Sequence, residues 1–147
     1  MELTYKNMMG NVEKYFDILP SIDPKKDPKI VDKVKEFLAS DFMVRWGDAP
    51  KFYDRDLWTD HLCGHADEYR ATVLYKPEPL YIMVDDKKKM AACFVKEEMR
   101  HPVTGELLKV FLLNVHYEFT LENNAIKFKR ELITHVPAKY SSDSPPK

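Results

Sequence analysis

The spacing of apolar residues changes partway along the chain, and that change constrains the fold more than any single motif. Before about residue 70 they recur every three to four positions; from Ala71 onward they alternate. The first period belongs to a helix with one buried face, the second to a strand with one buried face. A chain that is helical first and stranded afterwards is predicted to fold as an α+β domain with its helices gathered against a sheet.

In the first half, Tyr5, Met8, Met9, Val12, Tyr15, Phe16 and Leu19 form one helical face over Thr4–Leu19, which Pro20 ends. A second helix takes Asp27 as its N-cap and Pro28 as its first residue, with Ile30, Val31, Val34, Phe37 and Leu38 as its stripe, and ends near Ser40. Phe42–Trp46 reads as a short strand closed by Gly47-Asp48-Ala49-Pro50. A third helix starts after Asp54 and carries Trp58, His61, Leu62, His65 and Tyr69 on one side, so polar atoms are mixed into an otherwise buried face.

In the second half, turn residues divide the chain into strands at Ala71–Tyr75, Leu80–Val84, Met90–Met99, Leu107–Leu121 and Ala125–His135. Pro77 and Pro79 end the first of these, and Asn123-Asn124 makes the last hairpin turn. Along the longest strand Phe111, Leu113, Val115, Tyr117, Phe119 and Leu121 share one face, while Leu112, Asn114, His116, Glu118 and Thr120 share the other. Residues 1–136 are thus expected to form a single domain. Residues 137–147, with little apolar content to offset ordering entropy, are expected to be a disordered tail.

Composition narrows the function. With 23 Lys+Arg against 24 Asp+Glu in 147 residues, the chain lacks the uncompensated positive charge that nucleic acid or an anionic membrane demands. Four glycines leave no room for G-x-G-x-x-G or a P-loop, so nucleotide chemistry is not expected and no cofactor is implied. The N-terminus lacks a secretory pattern and no apolar run spans a membrane; two cysteines are no disulfide framework, so a cytoplasmic protein is expected. Aromatic residues make up 12% of the chain, which favours a filled core or an aromatic-walled pocket.

The segment Val12–Asp17 on helix one, "ASDFMVRW" at the first strand, "LWTDHL" on helix three, and the hairpins "YIMVDDKKKMAACFV" and "VHYEFTLENNAIKFKRE" occur in a characteristic order. Together, over about residues 4–136, they resemble the cone-shaped α+β barrel of the nuclear transport factor 2-like superfamily. The similarity is to its SnoaL-like polyketide cyclase, scytalone dehydratase-like and fungal natural-product isomerase members. The resemblance implies three N-terminal helices packed on a strongly curved antiparallel sheet around a conical cavity, with a homodimer formed through the outer sheet face. It implies enzymes and non-catalytic binding proteins alike, because fold does not determine function. SnoaL-like members carry a catalytic Asp near the end of the last strand, where this chain reads Arg130-Glu131-Leu132-Ile133-Thr134-His135.

Neighbouring strand residues face opposite ways, so only one of Arg130 and Glu131 enters the cavity unless a bulge intervenes. Glu131 is the expected one, a carboxyl whose pKa an aromatic cavity would raise so that it exchanges protons with substrate. A solvent-facing salt bridge to Lys127 or Lys129 is the alternative. His61 and His65 are four apart on one helical face, and His65 is the candidate proton shuttle. As a metal pair they lack the Glu that a zincin needs at position 62, which is Leu62, so no metal is expected. Arg45 is the candidate oxyanion donor, unless it pairs with Asp41 or Asp48, and Asp17 resembles in position an Asp that reaches ligand from helix one in scytalone dehydratase-like proteins. Trp46, Trp58, His61, Tyr69, Tyr81 and Tyr117 are the expected substrate-binding side chains. The expected function is cofactor-independent isomerisation, cyclisation or dehydration of a small apolar oxygenated natural product by general acid–base catalysis. The alternative is a non-catalytic homodimeric module of the same fold that binds a ligand or a protein.

Overall fold

A computed structural model of the chain describes residues 2–22, 28–46, 51–62 and 74–136. The expected tail at 137–147 lies outside the described residues, as do His65 and Tyr69. The described elements run α1 (Tyr5–Ile18), a single 3-10 turn at Leu19–Ser21, α2 (Ile30–Lys35), β1 (Leu38–Trp46), β2 (Lys51–Asp54) and α3 (Arg55–Leu62). They continue as β3 (Leu74–Asp85), β4 (Met90–Arg100), β5 (Leu107–Glu122) and β6 (Ala125–His135). No helix among the described residues is long and apolar enough to cross a membrane.

Helix α1 begins where Thr4 Oγ1 accepts the Asn7 N–H at 3.2 Å and buries Met8, Val12, Tyr15 and Phe16 on the expected face. Helix α2 is shorter than its sequence suggests. Leu38, read above as the end of its stripe, is already in β1, because the Phe128 N–H reaches the Phe37 carbonyl at 2.7 Å and draws the chain into the sheet. Strand pairing across a separation of some ninety residues overrides a local helical period. Helix α3 starts where Asp54 Oδ1 accepts the Leu57 N–H at 2.9 Å.

Among the described residues six strands form one curved sheet, in the order β2-β1-β6-β5-β4-β3. The expectation of an antiparallel sheet needs correction: β1 runs parallel to β6, so the sheet is mixed. A parallel neighbour requires a crossover, and the whole β2-to-β5 segment supplies it. Two further differences have local causes. Strand β2, which the sequence did not reveal, is four residues whose burial follows no alternation. Of the segments read as two strands around Pro77 and Pro79, residues 71–73 lie outside the described residues and the rest are one strand, β3, with a bulge between Pro79 and Tyr81. β3 is the edge of the sheet, where a residue without an N–H leaves no ladder bond unmade on its open side.

The longest hairpin positions the site. β5 and β6 meet through Asn123 and Asn124, both at positive φ (52° and 60°), the geometry that twists a two-residue turn to match its strands. Along β5 the buried residues Leu113, Val115, Tyr117 and Phe119 alternate without interruption. β6 does not: Glu118 faces Arg130 and Phe119 faces Phe128, so β6 carries one extra residue, Lys129, at this point. Phe128 and Glu131, three apart, therefore face the same side. At the far end Ser40 donates its N–H and hydroxyl to the Glu122 carboxylate at 2.9 Å each, tying the end of β5 to the start of β1.

The core lies between one sheet face and α1, α2 and α3. Its centre is a ring cluster: Tyr117 stacks on Phe128 at 4.3 Å, and Tyr15 of α1 meets Phe128 at 5.0 Å and Tyr117 at 6.3 Å. Phe128 is fully buried, whereas Leu132, on the opposite face of the same strand, is 37% exposed. Phe128→Ala is expected to cost about 3–5 kcal/mol of stability and Leu132→Ala under about 1 kcal/mol in urea unfolding. Similar losses for both would contradict the assignment of faces.

Candidate functional site

A cavity of about 500 Å³ opens between the helices and the sheet. Its walls come from α1 (Tyr15, Phe16), α3 (Trp58, His61), β1 (Trp46), β2 (Tyr53) and the inward rows of β4, β5 and β6. The inward rows follow from strand alternation, and the bulge at Lys129 brings Glu131 into them.

Glu131 is 5% exposed and lines the cavity, opposite Tyr117 on β5 and beside Val44 on β1. Burial pushes its carboxyl up to about 8, because an ionised carboxylate there would lose its water without gaining a cation among the described residues; the Tyr117 hydroxyl, donating to it, offsets part of that rise. The Tyr117 hydroxyl is itself held well above its ordinary value by burial and then by the charge of Glu131. It stays a donor throughout the physiological range. Cys93 lies close enough to feel Glu131, but burial pushes its thiol up to about 12, so it is a protonated apolar neighbour and not a nucleophile. A neutral carboxyl and a phenol side by side in an apolar floor can give and take one proton at neutral pH and stabilise the charge left behind.

Nearer the solvent the cavity is walled by rings. Trp58 stacks on His61 at 5.2 Å, Trp46 lies 5.4 Å from Trp58 and 6.0 Å from His135, and His135 meets Phe111 at 5.5 Å. Lys51 and Glu97 also line this cavity. The buried Trp58 Nε1–H has no hydrogen-bond partner among the described residues. No group of three His, Cys, Asp or Glu side chains that would hold a metal comes together among the described residues.

Of the residues singled out from sequence, Glu131, Tyr117, Trp46, Trp58 and His61 line this one cavity. Three do not and are corrected. Arg45 sits between the inward Val44 and Trp46, so strand alternation turns it outward beside Leu132, and it is exposed. Tyr81 is 62% exposed because its neighbour Ile82, not Tyr81, shares the face of Cys93. Asp17 is exposed because α1 turns Tyr15 and Phe16 toward the core, and the next position lies about 100° further round. Nor does a lysine bridge hold Glu131 at the surface: the Lys127 ammonium donates to the Glu36 carbonyl. Arg130 points outward, donating to the Asp41 carbonyl at 2.8 Å.

Sequence reasoning missed Tyr15, Tyr53, Glu97 and Phe111 as cavity residues and left His135 unassigned. Glu97 had a signal, since alternation puts it on the face of Cys93 and Val95. Tyr15 had none that separates a cavity wall from ordinary core, and Tyr53 belongs to the unread β2.

The sequence matches no protein-family model and no curated protein. Solved structures do match in shape. PrhC from Penicillium brasilianum superposes with a TM-score of 0.66 at 9% identity, covering 89% of this chain and 81% of that one. BvnE pinacolase from Penicillium brevicompactum gives 0.64 at 8% identity, covering 89% and 84%. An NTF2-like protein from Novosphingobium aromaticivorans gives 0.61 at 10% identity, covering 95% and 84%. At such identities the likeness is one of fold, and it agrees with the mixed six-stranded sheet and its helical cover: the chain has the α+β fold of the nuclear transport factor 2-like superfamily.

Proposed function

We propose that this protein is a cofactor-independent enzyme that isomerises, cyclises or dehydrates a small oxygenated natural product by proton transfer. The observation that carries the reading is a buried carboxyl, Glu131, hydrogen-bonded to Tyr117 and facing a cavity of about 500 Å³ large enough for a small molecule. In this reading the sheet and helices form a conical cup with Glu131 near its floor. At neutral pH Glu131 is mostly protonated, so it acts first as a general acid toward a carbonyl, hydroxyl or ether oxygen. Its conjugate base then removes a proton from carbon, and Tyr117 steadies the charge. Aromatic walls favour an apolar substrate. The fungal proteins of this shape include one described as a pinacolase, which supports chemistry on a carbon skeleton. A cytoplasmic setting suits Cys93, a buried free thiol.

A homodimer through the outer sheet face completes the proposal, since Tyr81 and Met83 are 62% and 55% exposed there. The rival reading, a binding module without catalysis, would use the same cavity and the same dimer.

Once a turned-over substrate is in hand, Glu131→Gln is expected to lower kcat by about two orders of magnitude or more. The wild-type rate is expected to fall as pH rises through about 8, where the acid form is lost. Unchanged turnover in the variant removes Glu131 from the chemistry and favours the binding module.

The same carboxyl makes stability depend on pH. Unfolded, Glu131 ionises near its ordinary 4.5; folded, it holds its proton to about 8, so raising the pH between those values stabilises the unfolded chain. The loss amounts to about 1.4 kcal/mol for each pH unit, a few kcal/mol in all. Between about pH 5 and pH 8.5 the wild-type Tm should therefore fall further than that of Glu131→Gln, which has no proton to lose. Parallel curves would show that the carboxyl ionises normally. Sedimentation should give a dimer for the wild type and a monomer for Tyr81→Glu/Met83→Glu.

A further inference from the structure

Glu131, Ile133 and His135 alternate along β6, and all three line the cavity. Four residues of strand place the Cα atoms of Glu131 and His135 roughly 13 Å apart, and their side chains leave the strand on the same face, so the carboxyl and the imidazole are set about that far apart. The stretch between is apolar: Ile133, its partner Val115 on β5 and its neighbour Trp46 on β1, with Leu113 opposite His135 at the outer end. The inner end holds Glu131 and Tyr117. The outer end holds His135 and, across Trp46, His61, whose ring is 5.5 Å from Trp46 and 5.2 Å from Trp58. Lys51 and Glu97 add polar atoms to the lining, and the buried indole N–H of Trp58, unpartnered among the described residues, is a donor in want of an acceptor. One cavity thus offers two polar stations with a hydrophobic gap between them.

We propose that the substrate is a rigid, elongated hydrocarbon frame with an oxygen at each end, one held by Glu131 and Tyr117, the other by His61 and His135. This rests on the reading of the cavity as a substrate site and deepens it: the inner station does the chemistry, and the outer pair determines specificity and orientation. If both hydrogen bonds approach from within the gap, each about 3 Å long, the substrate oxygens lie about 7 Å apart; if both approach from the side, up to about 13 Å. A frame of two or three rings spans that range, and a single ring does not. A molecule with one oxygen would leave a station unsatisfied and bind in either direction.

Isothermal titration calorimetry with two rigid probes tests this. One is biphenyl with a hydroxyl at each para end; the other is biphenyl with a single para hydroxyl. The diol is expected to bind the wild-type protein at least about tenfold tighter. In His61→Phe/His135→Phe, which keeps aromatic rings beside Trp46, Trp58 and Phe111, that preference should shrink below about threefold through loss of diol affinity, the mono-alcohol losing no more than the roughly twofold that goes with one of its two orientations. Equal affinities in the wild type, binding of neither probe, or a diol preference that survives in the double variant would overturn the two-station assignment. The wild-type comparison needs no variant to fold. Because these readouts are binding constants, they separate from the catalytic reading, which stands or falls on turnover by Glu131→Gln.

Discussion

A single extra residue in β6 determines what the interior of this protein contains. Opposite Glu118 the strand carries both Lys129 and Arg130, so the inward face passes from Phe128 to Glu131. Without that slip in phase, strict alternation from Phe128 would turn Arg130 inward and Glu131 out to solvent. With it, a cation leaves the interior and a carboxyl enters. Arg130 ends on the Asp41 carbonyl, and Glu131 ends beside Tyr117.

The electrostatic character of the site follows from that placement. A carboxyl enclosed by Val44, Cys93 and aromatic rings has no cation among the described residues to offset the loss of water, so neutrality is its cheaper state at physiological pH. Tyr117 is tied to the same outcome, because a phenol next to a carboxyl cannot ionise in the same dry space. Tyr15 links this floor to the helical layer through its contacts with Tyr117 and Phe128. The aromatic groups therefore serve two ends: below, they fill space and hold α1 to the sheet; above, around Trp46, Trp58 and His61, they leave it open.

Much of the scaffold could be read from the chain. The apolar face of α1, the alternation of β5 from Leu113 to Phe119 and the Asn123-Asn124 turn are local patterns that appear where their spacing predicts, whereas Leu112, expected outward, is buried and Leu121, expected inward, is 42% exposed. The misread elements are those whose conformation is imposed from far away. Leu38 carries a helical period yet joins β1 because β6 offers a parallel partner, and Pro77 and Pro79 look like breaks until β3 proves to be an edge. The site divides in the same way. Glu131, Tyr117, Trp58 and His61 stand out as unusual side chains on apolar faces, whereas Arg45, Asp17 and Tyr81 stood out equally and face outward.

The sequence by itself determined that helices come before the β4-β5-β6 meander, the buried face of α1 and the inward row of β5 from Leu113 to Phe119, because side-chain periodicity is a property of the chain next to itself. Only the tertiary structure decided that β1 lies parallel to β6, that the bulge at Lys129 sends Glu131 inward, and that the cavity keeps a titratable group at each end of an apolar gap. Those outcomes depend on pairings between strands, from about ten positions apart within the β5-β6 hairpin to nearly ninety between β1 and β6. Register, burial and proton affinity come into being only when such partners meet and water leaves.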